Sequence, residues 1–162
     1  MWRVSTRGLG YSDSGHASEK KTSRARAGYL FISVGVAISW RSSMLKVVTF
    51  STCESEHVGL SESSNEAMYL WQLQNELGIG KESVLLLGDN ESSLKLAENP
   101  VFHQRSKHIL IRYHSIRDRV RDGVIELCEV DTGLNATDMM TKQVGITILR
   151  SCKALVGVVP SG

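Results

Sequence analysis

The stretch Ser83-Val84-Leu85-Leu86-Leu87-Gly88-Asp89-Asn90 decides how the chain folds. The apolar run after Ser83 shows no alternation and is too short for an ordinary helix. Such a run predicts a strand covered on both faces, as in a parallel sheet. Gly88 ends it, and Asp89 and Asn90 follow at its carboxyl end.

Outward from this strand the period changes. Upstream, Ser51-Thr52-Cys53-Glu54 fits a capping box, with Ser51 as N-cap and Glu54 three residues on. From there to Leu77, Leu60, Ala67, Leu70, Leu73 and Leu77 recur at helical spacing, and Gly78 and Gly80 stop the helix. Downstream, a short helix is expected over 91–98, ended by Asn99-Pro100. A basic helix is expected over 108–122, stopped by Gly123. Residues 124–130 alternate apolar and polar and read as a strand.

Nearer the start, a short strand over 9–12 leads into Asp13. Residues 28–34 are rich in aromatic and β-branched side chains, Gly35 breaks them, and 36–40 resume, which predicts an antiparallel meander of three strands. The remainder from about 136 is weakly patterned and expected to be helical, with 156–162 a frayed tail. The order βββ-α-β-α-α-β-α gives an α/β fold with a parallel central region. The expected organisation is a short extension over 1–8, one domain over 9–145 and a C-terminal helix or tail over 146–162.

A chain of 162 residues suits one hydrophobic core. With 41% hydrophobic and 22% charged residues it has the composition of a soluble globular protein. No apolar run is long enough to cross a bilayer, and residues 1–7 lack the apolar stretch of a secretory signal. No membrane partner is expected, and an intracellular location is. Cys53, Cys128 and Cys152 are too few and too far apart for a disulfide framework or a zinc pattern, and read as half-buried or buried thiols. Net charge is only +2, but it is unevenly spread. Arg105, Lys107, Arg112, Arg117, Arg119 and Arg121 crowd one stretch, and Lys20, Lys21, Arg24 and Arg26 another. Each run reads most simply as a solvated face, and together they make a polyanionic partner worth testing.

The acids carry the chemistry. Asp13 and Asp89 close predicted strands, Glu56 falls in the first turn of a predicted helix, and Asp138 lies in or near the last one. In open α/β sheets, sites form where strand ends meet helix starts. Clustered carboxylates repel unless a cation neutralises them, and hard oxygen ligands favour Mg²⁺ or Mn²⁺. Taken singly, Asp13 and Asp89 also fit turn or capping roles, and Glu54 is already explained as a cap. Spacing alone does not bring the four together.

Several stretches point further. "GYSDSGHAS" (10–18), "GYLFISVGVAISWRS" (28–42), "STCESEHVGLSES" (51–63), "GDNESSLKLAENPVFHQRSKHILIRYHSIRDRV" (88–120) and "TDMMTK" (137–142) follow in that order. In order and spacing the chain resembles the ribonuclease H domain of copia-type retrotransposon Pol polyproteins, over roughly residues 10–145. The resemblance implies a ribonuclease H-like fold, a mixed five-stranded sheet with flanking helices. It also implies endonucleolytic hydrolysis of the RNA strand of RNA–DNA hybrids with two Mg²⁺ ions, or Mn²⁺ in their place.

On that resemblance the first catalytic Asp lands on Asp13 in "GYSD", and the Glu on Glu56, with Glu54 as fallback. The Asp of a "DN" pair lands on Asp89, and that of an "AD-x-x-TK" motif on Asp138. All four would be metal ligands. Nucleic-acid contacts are expected from Lys20, Lys21, Arg24, Asn90, Arg105, Lys107, His108 and Arg112. The expected partners are the hybrid and a reverse transcriptase of the same polyprotein; the expected places are the cytoplasm, a virus-like particle or the nucleus. The chain departs from the family pattern at His16 (usually Trp), His57 (Tyr), Gly88 (Cys) and Leu110 (Asp), and Thr137 adds a polar residue before Asp138. A second reading stays open: a relic with weak or no activity that keeps the fold and binds nucleic acid.

Overall fold

In the computed structural model, residues 7–15, 24–49, 51–79, 82–89 and 107–158 are described. The helix expected over 91–98 lies outside these residues, as do His16, Lys20, Lys21, Asn90 and Arg105.

The described strands are β1 (Leu9–Gly15), β2 (Arg26–Ser33), β3 (Val36–Met44), β4 (Val84–Gly88) and β5 (Ile125–Glu129). They form a mixed sheet in the order β3-β2-β1-β4-β5. β1, β2 and β3 pair antiparallel, and β4 runs parallel to both β1 and β5. This is the meander and the parallel centre that the sequence predicts. β1 extends past its expected end, because its ladder with β2 continues from Asp13↔Gly28 to Gly15↔Arg26. Asp13 therefore lies inside a paired strand.

Helix α1 (Thr52–Glu76) crosses from β3 to β4, and helix α2 (Lys107–Arg121) precedes β5. Ser51 caps α1 as expected, its hydroxyl accepting from the Glu54 N–H at 3.1 Å. A short 3₁₀ turn (Thr132–Leu134) leads to the single-turn helix α3 (Asp138–Thr141) and to α4 (Ile146–Leu155). Among the described residues, no helix is long and apolar enough to cross a membrane.

Strand alternation divides the core between the two faces of the sheet. Phe31, Val84, Leu86 and Ile125 pack with Leu60, Ala67 and Leu70 of α1 and Ile116 of α2. Tyr11, Leu30 and Ile32 pack on the other face with Ala136 and Val156. Two sequence expectations change here. Leu73 and Leu77 continue the helical spacing of α1 but are exposed. The 25-residue helix is about 37 Å long, against about 17 Å for a five-residue strand, so its end outruns the sheet. Val156, expected in a frayed tail, is buried, because α4 brings it back onto Tyr11, Leu30 and Ile32. Of the three thiols, all free, Cys152 is buried and Cys53 and Cys128 are half-buried.

Candidate active site

β1 and β4 are adjacent parallel strands, and Ser12 pairs with Gly88. The next residue on each strand is an aspartate, so the register sets Asp13 and Asp89 side by side. α3 delivers the third. Carboxylate oxygens of Asp13, Asp89 and Asp138 all lie within 4.8 Å of one another. Asp13 is completely buried and Asp138 nearly so. Glu56 comes from the start of α1, is buried, and its carboxylate accepts a hydrogen bond from the backbone N–H of Ser14, next to Asp13.

These groups feel one another. Burial pushes the Glu56 carboxyl up to about 9, the charges of Asp13 and Asp89 push the same way, and Lys142 only partly offsets them. Burial and then Asp13 also raise Asp89, and burial raises Asp138 against the pull of Lys142. Like charges drawn out of water favour the protonated forms unless a cation compensates. Among the described residues, Lys142 supplies such a cation. The Lys142 ammonium lies 3.1 Å from Asp13 Oδ1, 3.0 Å from Asp138 Oδ1 and 3.8 Å from Asp89 Oδ2. Burial alone would ease the release of its proton, but Asp13 and Asp138 more than reverse this and hold it tightly.

A web of polar groups fixes α3 to β1. The Thr141 hydroxyl donates to Asp13 Oδ2. Asn135 is buried; its Nδ2 donates to the Ser12 carbonyl at 3.0 Å, and its Oδ1 accepts from the Thr137 N–H and hydroxyl. Ser63 of α1 donates to the Ser12 hydroxyl at 2.8 Å. The approach is close. A Cβ on Gly15 would stand 2.8 Å from the Thr141 carbonyl oxygen, and one on Gly28 2.9 Å from the Thr141 methyl. Larger residues at these two positions would force Thr141 away from Asp13.

Sequence reasoning named the four acids and found no role for Asn135, Thr141 or Lys142. The signal for the last two was their place in "TDMMTK"; Asn135 carried none. Of the expected nucleic-acid contacts, Arg24 is exposed, Arg112 is half-buried on α2, and Lys107 and His108 begin α2. The far end of α2 is committed elsewhere. Arg119 donates to Ser64 and Asn65 of α1, and Arg121 pairs with Asp118 and Asp122. The His57 ring stacks on Tyr113, with centroids 3.7 Å apart, which ties α2 to the start of α1.

Donors that are all oxygen, buried together and already gathered round an ammonium, suit hard divalent cations. No protein-family model matches the chain. It is 36% identical over 91% of its length to the retrovirus-related Pol polyprotein from transposon TNT 1-94 of Nicotiana tabacum. It is 34% identical, again over 91%, to that from transposon RE1 of Arabidopsis thaliana. The fold matches LC11-RNase H1, solved in complex with an RNA/DNA hybrid, with a TM-score of 0.59 at 14% identity, covering 83% of this chain and 93% of that one. It matches the N-terminal RNase H domain of rv2228c from Mycobacterium tuberculosis with a TM-score of 0.60 at 14% identity, covering 94% and 98%.

The chain has the ribonuclease H fold, and over most of its length it is similar to retrovirus-related Pol polyproteins. It spans only 11% and 10% of the two polyproteins named. Of the four acids that the sequence singled out, Asp13 lies within β1 and Asp89 just past β4, Asp138 of α3 joins them, and Glu56 is buried near the start of α1.

Proposed function

We propose that the domain hydrolyses the RNA strand of RNA–DNA hybrids as an endonuclease within a copia-type retrotransposon polyprotein. The observation that carries this reading is the convergence of Asp13, Asp89 and Asp138 within 4.8 Å, with Glu56 buried beside them. These four residues would hold two Mg²⁺ ions, or Mn²⁺. When bound, the ions supply a reactive water at neutral pH and offset the charge on the departing 3′ oxygen.

The chain's own residues do the rest. Asp13, fixed by the β1 ladder and by Thr141, would hold the ions together with Asp138 and Asp89, which lie within reach of it. Glu56 has its proton held up to about 9 until a cation replaces it. Its carboxylate is then available as a ligand from the α1 side. Arg24, Arg112, Lys107 and His108, with Lys20, Lys21, Asn90 and Arg105 outside the described residues, would engage the hybrid backbone. Such contacts weaken with salt and ignore sequence. The 2′-hydroxyls in the minor groove would mark the RNA strand. A reverse transcriptase segment of the same polyprotein would deliver the hybrid.

Cleavage of a labelled RNA–DNA hybrid in Mg²⁺, beside an Asp89→Asn control, tests the reading. We expect cleavage of the RNA strand alone, lost in the control by on the order of a thousandfold. Hybrid bound but uncut by the unmodified chain would assign it a binding role instead.

A further inference from the structure

One group in the site is unexplained by the hydrolytic reading. Lys142 is no ligand, yet its ammonium stands among the groups proposed as ligands, 3.0 and 3.1 Å from Asp138 and Asp13 and 3.8 Å from Asp89. The same Oδ1 atoms cannot hold a divalent cation about 2.0–2.1 Å away and an ammonium at hydrogen-bond distance without the two positive charges crowding each other. Lys142 also has somewhere to go. It is the C-cap of α3, its backbone is extended at φ −130° and ψ 158°, and its side chain is 37% exposed. Asp13 and Asp138 have less such freedom, since Asp13 sits in a strand ladder and Asp138 in α3.

We propose that Lys142 is a built-in counter-ion that holds Asp13, Asp89 and Asp138 together until divalent cations arrive, and that metal loading requires its side chain to swing outward. The inference rests on the metal-binding reading above and adds a regulation of that same site. In physical terms it is competition. An intramolecular cation at high effective concentration sets a threshold of metal concentration below which the acids remain clustered and the site stays unloaded. A salt bridge with a purely structural role would stabilise the fold without lowering metal affinity.

The test uses the full 162-residue chain without nucleic acid, comparing it with Lys142→Met and Asp89→Asn. Mn²⁺ binding is followed by electron paramagnetic resonance and calorimetry, and melting is measured with and without Mn²⁺. The expected result is Mn²⁺ affinity about tenfold or more higher in Lys142→Met. Its melting temperature without metal should fall, and its rise on adding Mn²⁺ should exceed that of the unmodified chain. Equal or weaker Mn²⁺ binding by Lys142→Met overturns the inference. If that result comes while Asp89→Asn abolishes binding in the unmodified chain, the metal reading stands and only the counter-ion role falls. If Mn²⁺ binds neither the unmodified chain nor Lys142→Met, both fall. Should Lys142→Met not fold, the Lys142 Nζ resonance of the unmodified, lysine-labelled chain decides. It should move with added Mg²⁺ at the midpoint of Mg²⁺ binding, and a fixed resonance overturns the inference.

Discussion

Two buried regions meet at β1, and they are built on opposite principles. Beneath α1, Phe31, Leu60, Ala67, Leu70, Leu86, Ile116 and Ile125 form an apolar cluster. Its attraction is non-directional and grows with the area removed from water. Around Asp13, Ser12, Ser63, Asn135, Thr137, Asp138 and Thr141 are just as deeply buried, but every one carries a polar group. That region holds only because donors meet acceptors: Asn135 on the Ser12 carbonyl, Thr141 on Asp13, and Lys142 among the acids. The first region stabilises the domain whatever the pH. The second gathers like charge in a small volume, which is costly unless a cation compensates it.

The widest expected contrast between the two regions is with pH. The folded chain keeps the Glu56 proton up to about 9, whereas the ordinary value of 4.5 applies once it unfolds. Unfolding between those values therefore releases a proton, so stability should fall as pH rises from about 4.5 to 9. Asp89 and Asp138, also raised, act with the same sign. Lys142, raised as a base, keeps its contribution below its ordinary value of 10.5 and loses it only above that window. Urea unfolding at pH 5, 7 and 9 in a chelating buffer measures this. Glu56→Gln should flatten the slope, as should saturating Mg²⁺. A slope unchanged in Glu56→Gln would show that Glu56 ionises normally.

Deletion in the apolar region comes next. Phe31 is fully buried, and Phe31→Ala should cost about 3–5 kcal/mol, with little change in pH slope. Chemical denaturation reads it, and a loss under about 1 kcal/mol would mean that the cavity collapses.

A deletion in the polar region should cost less and act differently. Asn135→Ala strands the Ser12 carbonyl and frees Thr137, for about 1–3 kcal/mol. Because Asn135 orders the turn into α3, it should also weaken Mn²⁺ binding, which Phe31→Ala should not. Loss of stability with Mn²⁺ affinity intact would separate Asn135 from the site.

The smallest effect is expected far from both regions, in the β2–β3 hairpin. Val34 turns there at φ +52° and Gly35 at φ +80°. A β-branched residue is strained in that conformation, and the two-residue turn favours Asn-Gly. Val34→Asn should stabilise the domain by about 1 kcal/mol with pH slope and metal binding unaltered. A lowered melting temperature would show that the Val34 side chain makes a contact worth more than its strain.

The two regions also differed in how well the sequence revealed them. The apolar core follows from local periodicity. The unbroken run before Gly88 is β4, the alternation over Leu30, Phe31 and Ile32 faces two layers, and Leu60, Ala67 and Leu70 line one side of α1. The reading erred where periodicity outlasted its packing partner, at Leu73 and Leu77, and where a weakly patterned end returned to the core at Val156. In the site, the strand ends expected from the sequence marked Asp13 and Asp89, although β1 in fact runs on to Gly15. Glu56 and Asp138 were separated from other acids only by family resemblance. Asn135, Thr141 and Lys142 went unread, since each acts across more than a hundred residues of chain, or at the meeting of three acids, and leaves no local periodic trace.

By itself, then, the sequence determined the strands of the sheet and the two long helices, which faces are apolar, and that Asp13 and Asp89 stand near the carboxyl ends of two strands. Those properties depend on side-chain chemistry at short range, where spacing of two or 3.6 residues is a physical signal. Only the tertiary structure decided that β1 and β4 lie side by side in the register that aligns Asp13 with Asp89. It also decided that Gly15 and Gly28 admit Thr141, and that Lys142 ends among three carboxylates. Convergence of charge is a relation between distant parts of the chain, and it acquires an energy only when folding has removed the water between them.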